Sequence, residues 1–333
     1  MIDAPLIWAA LLALAVLLYV VLDGFDLGIG ILFPWIRGER NRDLAMNSIA
    51  PVWDGNETWL VFGGSALFAA FPLAYSVLLT AFYAPLIAML LGLIFRGVAF
   101  EFRFRRPGHK PLWEVSFTGG SIIATFCQGV VLGAFVQGIE IEGRRYAGGW
   151  FDWLTPFSVF TGLALLCGYA LLGAGWLLIK SEGEPQARLW RLIRPLGLAV
   201  LAAIAVVGLW TPMLNEQIAG RWFSWPNIAI FSPLPLLVAL TGLALDRAVS
   251  RRRARQPFLL ALALFLLSYL GLGVSLFPSI VPPRISIWQA AAPPESIGFL
   301  LIGALVLLPI ILGYTGYTYW IFRGKSDRES GYH

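Results

Sequence analysis

The chain has 333 residues, of which 58% are hydrophobic, 14% aromatic and only 13% charged. Ordinary globular proteins carry roughly 25% charged residues, so a soluble fold of this size would lack polar surface. Disordered, collagen-like and disulfide-rich secreted classes are excluded by the same figures. The net charge of +5 does not point to nucleic acid, because the basic residues sit in short gaps between apolar runs. The class left is an all-α integral membrane protein.

About 20 mostly apolar residues are needed to cross the hydrocarbon core. Nine segments meet this, near 6–33, 55–74, 77–99, 117–137, 155–179, 195–212, 227–245, 257–277 and 298–322. The first lacks a basic leader and a small-residue cleavage site, so it is a first span and not a removed signal peptide. The second and third are separated by Ala74-Tyr75-Ser76, read as a tight turn in an antiparallel hairpin. The sixth is the shortest, with Pro195 suited to its first turn. Gly148-Gly149-Trp150 suggests an interfacial turn anchored by aromatics. Pro282-Pro283 and Pro293-Pro294 suggest an irregular last outer loop. Cys127 and Cys167 lie in apolar runs without metal-ligand spacing and read as small buried hydrophobes.

Lys and Arg in the gaps set the orientation. With the N-terminus outside, segments 34–51, 100–116, 180–194, 246–256 and 323–333 face inward and hold nineteen basic residues. The outward segments hold four, namely Arg144, Arg145, Arg221 and Arg284. Nine spans, N-terminus out and C-terminus cytoplasmic, is the resulting topology. Arg251-Arg252-Arg253-Ala254-Arg255 reads as an anchor on anionic lipid headgroups.

Charges inside spans cost roughly 2.5–3.5 kcal/mol each on insertion scales, so each needs a reason. Asp23 and Asp26 are i,i+3 in the first span and share a helix face. Gly24 and Gly28 form a small-xxx-small pair that lets another helix come close, on what reads as the same face. Asp54 and Glu57, again i,i+3, open the second span, and Arg96 and Glu101 end the third. In this topology all six gather at the cytoplasmic end of the first three spans. One arginine cannot neutralise four carboxylates, so at least one should be protonated or wetted. Such a carboxylate, reached from the cytoplasm, is what proton uptake requires. The structural alternative is that Arg96 pairs with one aspartate while Asp54 caps the second helix with Glu57 in a capping box.

The two histidines, His109 and His333, lie outside the spans. Of the methionines only Met89 and Met213 lie in or beside spans, and neither has a histidine to pair with. Bis-histidine haem and copper centres are therefore not expected in this chain, nor are nucleotide or metalloprotease motifs found.

The starting Met1-Ile2-Asp3, the runs Leu22-Asp23-Gly24-Phe25-Asp26-Leu27-Gly28-Ile29-Gly30 and Asn47 to Trp59, Phe68-Ala69-Ala70-Phe71-Pro72, Phe95 to Glu101, and Phe126-Cys127-Gln128-Gly129-Val130-Val131-Leu132-Gly133 resemble subunit II of bd-type quinol oxidases. The likeness is dense over 1–140 and continues beyond as span number and length. Glu57 and the Phe95 to Arg103 run resemble the cyanide-insensitive branch most.

The resemblance implies two four-helix bundles, about 1–140 and 150–277, and a peripheral helix at 298–322. It implies a haem-bearing subunit I as partner, with b-type and in some branches d-type haems, which oxidises quinol and reduces dioxygen to water. Subunit II is haem-free in that family and needed for assembly. Residues matching Asp23 and Asp54 are associated there with a water-filled proton route. That role extends here to Asp26 and Glu57, with Arg96 and Glu101 as charge partners that tune them. Small single-helix subunits and a quinone bound by this chain stay open. The competing readings are an assembly subunit that moves no protons and a proton-coupled secondary transporter.

Overall fold

The computed structural model describes residues 3–105 and 107–325, so Met1, Ile2 and His333 lie outside the described residues. Fourteen α-helices and two small hairpins follow one another. They are α1 (Ala4–Leu32), α2 (Glu39–Asn47), α3 (Trp53–Ala70), α4 (Pro72–Ala81), α5 (Tyr83–Arg105), α6 (Lys110–Gln137), α7 (Pro156–Lys180), α8 (Glu184–Leu214), α9 (Glu216–Phe223), α10 (Asn227–Phe231), α11 (Pro233–Ser250), α12 (Gln256–Leu276), α13 (Ile287–Ala290) and α14 (Pro294–Ile321). One hairpin, β1 (Ile141–Glu142) and β2 (Arg145–Tyr146), pairs Ile141 with Tyr146, and the other, β3 (Ser279–Val281) and β4 (Ile285–Ser286), pairs Ser279 with Ser286.

Among the described residues, eight helical segments are long and apolar enough to cross a membrane: α1, α5, α6, α7, α8, α10 with α11, α12 and α14. The expected second span is the exception. Its helix α3 has 18 residues, about 27 Å at 1.5 Å per residue, and Asp54, Asn56 and Glu57 dilute its first turns. It still runs from one end of the bundle to the other. Asn56 Nδ2 donates to the Leu22 carbonyl at 3.3 Å near the late end of α1. Ala70 at its other end accepts from Ala292 N at 2.9 Å, beside the point where Trp8 Nε1 donates to the Ile297 carbonyl at 3.0 Å.

Three expectations of local structure are corrected. Ala74-Tyr75-Ser76 is not a turn: these residues lie inside α4, and the chain breaks at Phe71 and Phe82 instead. Pro72 fits the first turn of α4, where its missing N–H costs nothing. In consequence α3 lies mainly on α1 and α5 on α6, and the two do not form a close hairpin. Pro195 is inside α8, about three turns after its start. Glu184 and Pro185 supply the N-terminal signals, and the added turns bury Leu189, Trp190 and Ile193 while Arg191 and Arg194 stay exposed. The last outer loop is partly regular, holding β3–β4 and α13, with Ser286 and Gln289 in a capping box.

Without water between helices, backbone proximity has to do much of the packing. α1 is buried on all sides from Asp23 to Phe33. A Cβ on Gly28 would sit 1.8 Å from the Tyr169 carbonyl oxygen and 2.9 Å from Gly173 N, so α1 and α7 touch through backbone. Gly92 against Gly120 does the same for α5 and α6, and Gly129 against Gly162 for α6 and α7. The close-approach face differs from the expected one. At 100° per residue Gly24 and Gly28 point well away from Asp23 and Asp26, so the glycines meet α7 while the aspartates meet α5.

Gly28→Ala should be the most damaging single methyl in the protein, because the obstruction is backbone. Gly24→Ala meets the Tyr169 ring at 2.8 Å, which a side-chain rotation can ease. The expected cost for Gly28→Ala is about 1–3 kcal/mol, read as a lower melting temperature of the purified complex, with a smaller drop for Gly24→Ala. Equal melting temperatures would contradict the α1–α7 backbone contact.

Candidate functional site

The site is built around Arg96. Its residue is fully buried on α5, at a place where Gly120 of α6 leaves room: a Cβ there would lie 2.9 Å from the Arg96 backbone nitrogen. The guanidinium Nη1 donates to Asp23 Oδ1 at 3.0 Å and to Glu57 Oε1 at 3.0 Å. Nη2 lies 3.9 Å from Asp26 Oδ2, and the Trp53 ring stands 6.0 Å from the guanidinium carbon. One cation thus faces three carboxylates from two helices.

Both aspartates are fully buried, whereas the Glu57 side chain is 25% exposed. Asp54, one turn earlier on α3, is exposed. Exposure therefore falls stepwise from Asp54 through Glu57 to Asp23 and Asp26. The capping alternative does not hold, because Val52 occupies the N-cap of α3 without a side-chain bond and Asp54 lies within the first turn. Glu57 turns its carboxylate to Arg96 instead.

Neutral groups complete the surroundings. Asn56 Nδ2 donates to Asp26 Oδ2 at 2.7 Å, and Asn56 Oδ1 accepts from the Tyr319 hydroxyl at 2.9 Å. Tyr19 lies one turn before Asp23 and faces it. Its hydroxyl accepts from Gln128 Nε2 at 2.7 Å, and Gln128 Oε1 accepts from the Tyr169 hydroxyl at 2.9 Å. Asp23 Oδ2, Asp26 Oδ1 and the Arg96 Nε and Nη2 are buried without a hydrogen-bond partner among the described residues. Buried polar atoms without a protein partner are rare in folded proteins.

Of the six residues singled out in the sequence, four meet: Asp23, Asp26, Glu57 and Arg96. Glu101 does not, because five residues along a helix turn it about 140° from Arg96. Its carboxylate lies 3.8 Å from Arg105 on the same helix. The position that does share the Arg96 face is Arg103, seven residues on. It is fully buried, and Nη1 reaches Asp43 at 2.5 Å while Nη2 reaches Glu114 at 3.0 Å. Glu114 also holds Arg42 at 2.5 Å, and Lys110 pairs with Glu39. The Lys110 ammonium holds the Glu39 carboxyl below its ordinary range. This second network ties α2 to α5 and α6. The seven-residue spacing was the signal that could have found Arg103, and the i,i+4 spacing to Asp23 the one that could have found Tyr19; nothing local in the sequence marks Asn56, Tyr319, Gln128 or Tyr169 as neighbours.

Among the described residues no group of three or more His, Cys, Asp and Glu is placed to hold a metal ion. His109 is exposed in a turn before α6, Met213 is 83% exposed, and Met89 is buried in an apolar cluster.

The sequence profile of the family described as cytochrome bd terminal oxidase subunit II matches residues 4–322. The chain belongs to this family. Cytochrome bd-I ubiquinol oxidase subunit 2 of Escherichia coli (strain K12) is 28% identical over 360 residues, covering 97% of this chain and 95% of that protein. Cytochrome bd ubiquinol oxidase subunit 2 of Bacillus subtilis (strain 168) is 27% identical over 337 residues and 97% of each. A chain of the solved bd oxidase from Geobacillus thermodenitrificans superposes with a TM-score of 0.75 at 15% identity, covering 96% of this chain and 99% of that one, which shows a shared fold. The protein is thus a subunit of a quinol oxidase and a multi-pass protein of the bacterial inner membrane. As a subunit II it has a subunit I partner, in a complex whose family carries haem.

Replacing Arg96 by Met would leave Asp23 and Glu57 without their cation at a buried position. Removing one partner of a buried ion pair costs about 3–5 kcal/mol, so loss of assembled complex from the membrane is expected. Arg96→Lys keeps the charge but not the fork, and should retain part of the yield. Wild-type yield and melting temperature for Arg96→Met would contradict the central role of this side chain.

Proposed function

We propose that this chain is the haem-free subunit of the oxidase, required for assembly with subunit I, and that it carries protons inward from the cytoplasmic side for the reduction of dioxygen to water. The observation behind this reading is the stepwise loss of exposure from Asp54 through Glu57 to Asp23 and Asp26 around one arginine. An exposed carboxylate collects protons, a half-exposed one passes them on, and the buried pair holds them where water is excluded. Proton transfer of this kind needs groups in hydrogen-bond reach or one water apart. Quinol and haem chemistry belongs to the partner.

The topology belongs to the same proposal: nine spans, N-terminus outside and C-terminus cytoplasmic. The antiparallel course of α3 between α1 and α5 supports nine crossings, because late residues of both α1 and α5 meet Arg96 and the chain has to return between them. The nineteen-to-four excess of basic residues supports the orientation. The site then lies at the cytoplasmic end of the first three spans.

A second reading is favoured by the Arg96–Asp23 bond itself: the cluster fastens three helices and moves no proton. The two readings separate on substitutions that keep shape. Asp23→Asn and Asp26→Asn complexes that assemble with full haem content should lose oxygen-consumption turnover by about tenfold or more, at least 1.4 kcal/mol in barrier. Asp54→Asn should fall less, since bulk water reaches that position. Wild-type turnover and pH profile in both buried variants would leave the fastening role alone standing.

A further inference from the structure

Most of α14 is exposed, with Ile297, Ala304 and Leu308 its only buried residues. Its inner end is different. Lys180, at the end of α7, donates from Nζ to the Phe322 carbonyl at 2.5 Å and the Gly324 carbonyl at 2.9 Å, and lies 4.9 Å from the Trp176 ring. These are carbonyls that the end of a helix leaves without intrahelical donors. The Tyr319 ring meets Phe25 edge-on at 6.4 Å and Trp176 at 6.2 Å. The ring is fixed, and with it the direction of its hydroxyl.

That hydroxyl donates to Asn56 Oδ1, and Asn56 donates to Asp26. An amide can face a carboxylate with either end, and only the nitrogen end is attractive. The nitrogen end also donates to the Leu22 carbonyl at 3.3 Å, and a donor held on the oxygen end reinforces this orientation and polarises the nitrogen into a stronger donor toward Asp26. Asp23 bonds Arg96 at 3.0 Å, whereas Asp26 stands 3.9 Å from it and takes its short bond from a neutral amide.

We propose that Tyr319 of the last helix is a positioning residue for Asp26, acting through the Asn56 amide to set how tightly Asp26 holds a proton during uptake. This rests on the proton-uptake reading above. The other titratable groups around Asp26 are Asp23 on its own helix, with Tyr19 beyond it, Glu57 on α3 and Arg96 on α5. From α7 the nearest packing is aromatic, through Trp176 against Phe25, and from α12 it is Phe258. Of the titratable groups on α7, Tyr169 faces Asp23 and Lys180 lies over the Trp176 ring, while Phe258 of α12 brings none.

A hydrogen bond to the ionised carboxylate favours that form, so removing its support favours the protonated one. In the purified whole complex, Tyr319→Phe should retain haem content and the KM for quinol. The acidic limb of its turnover–pH profile should move to higher pH by about one unit. Asn56→Asp, which adds a negative charge beside Asp26 and leaves α14 untouched, should move it further in the same direction. It serves as the second probe if Tyr319→Phe fails to assemble. Profiles superimposable on wild type in both variants, with Asp26→Asn inactive, would overturn the positioning role and spare the proton path. Wild-type turnover in Asp26→Asn would overturn both.

Discussion

A guanidinium withdrawn from water is the constraint around which one end of this helical assembly is arranged. Taking a charge out of water costs several kcal/mol even after relaxation, and only close, well-aligned partners offset it. Arg96 finds them on α1 and α3, and this requires three helices to end at one point. The requirement reaches further than the ion pairs. Arg96 fits because Gly92 and Gly120 bring α5 and α6 to backbone distance, and Asp23 is in place because Gly28 seats α1 on Tyr169 and Gly173 of α7. Small residues set the depth at which the large charge is buried.

The two ends of the bundle are held by different means. At the end away from Arg96, Ile139 N donates to the Pro282 carbonyl and Arg284 Nη1 to the Ile141 carbonyl at 3.0 Å, which links the two hairpins. The Tyr146 hydroxyl donates to Asp152 at 3.3 Å, and burial together with that carboxylate pushes its pKa up to about 12. At the end that holds Arg96 the ties are ionic. Between them the lipid-facing surface carries exposed Leu, Ile, Phe and Trp, as expected where the solvent is hydrocarbon.

Much of the site was legible because its signals are local. Asp23 and Asp26 share a face by spacing alone, and a span's direction brings Arg96 to their depth. What could not be read were contacts across many residues. Tyr319 and Asn56 are separated by most of the chain, and an aromatic in a span usually means packing or lipid. Gln128 between two tyrosines is equally silent until α1, α6 and α7 are assembled. Glu101 was misassigned because shared depth says nothing about azimuth, and the helix turns it away from Arg96. The break at Phe71 and the early start of α8 were misread for one reason. Apolar runs mark where a chain meets lipid, whereas helix ends are set by proline and capping groups.

The two buried arginines of α5 make an instructive pair. Arg103 shares its network with Arg42 and faces Asp43 and Glu114, so two cations meet two carboxylates. That network is neutral as it stands, and it fastens α2 to α5 and α6. Arg96, on the same face two turns earlier, is alone against three carboxylates. The charges there do not cancel, and of the three carboxylates Glu57 is the one nearest the surface. The same residue type on the same helix thus sits in a balanced cluster at one position and in an unbalanced one at the other. The difference lies in the partners that α1 and α3 supply.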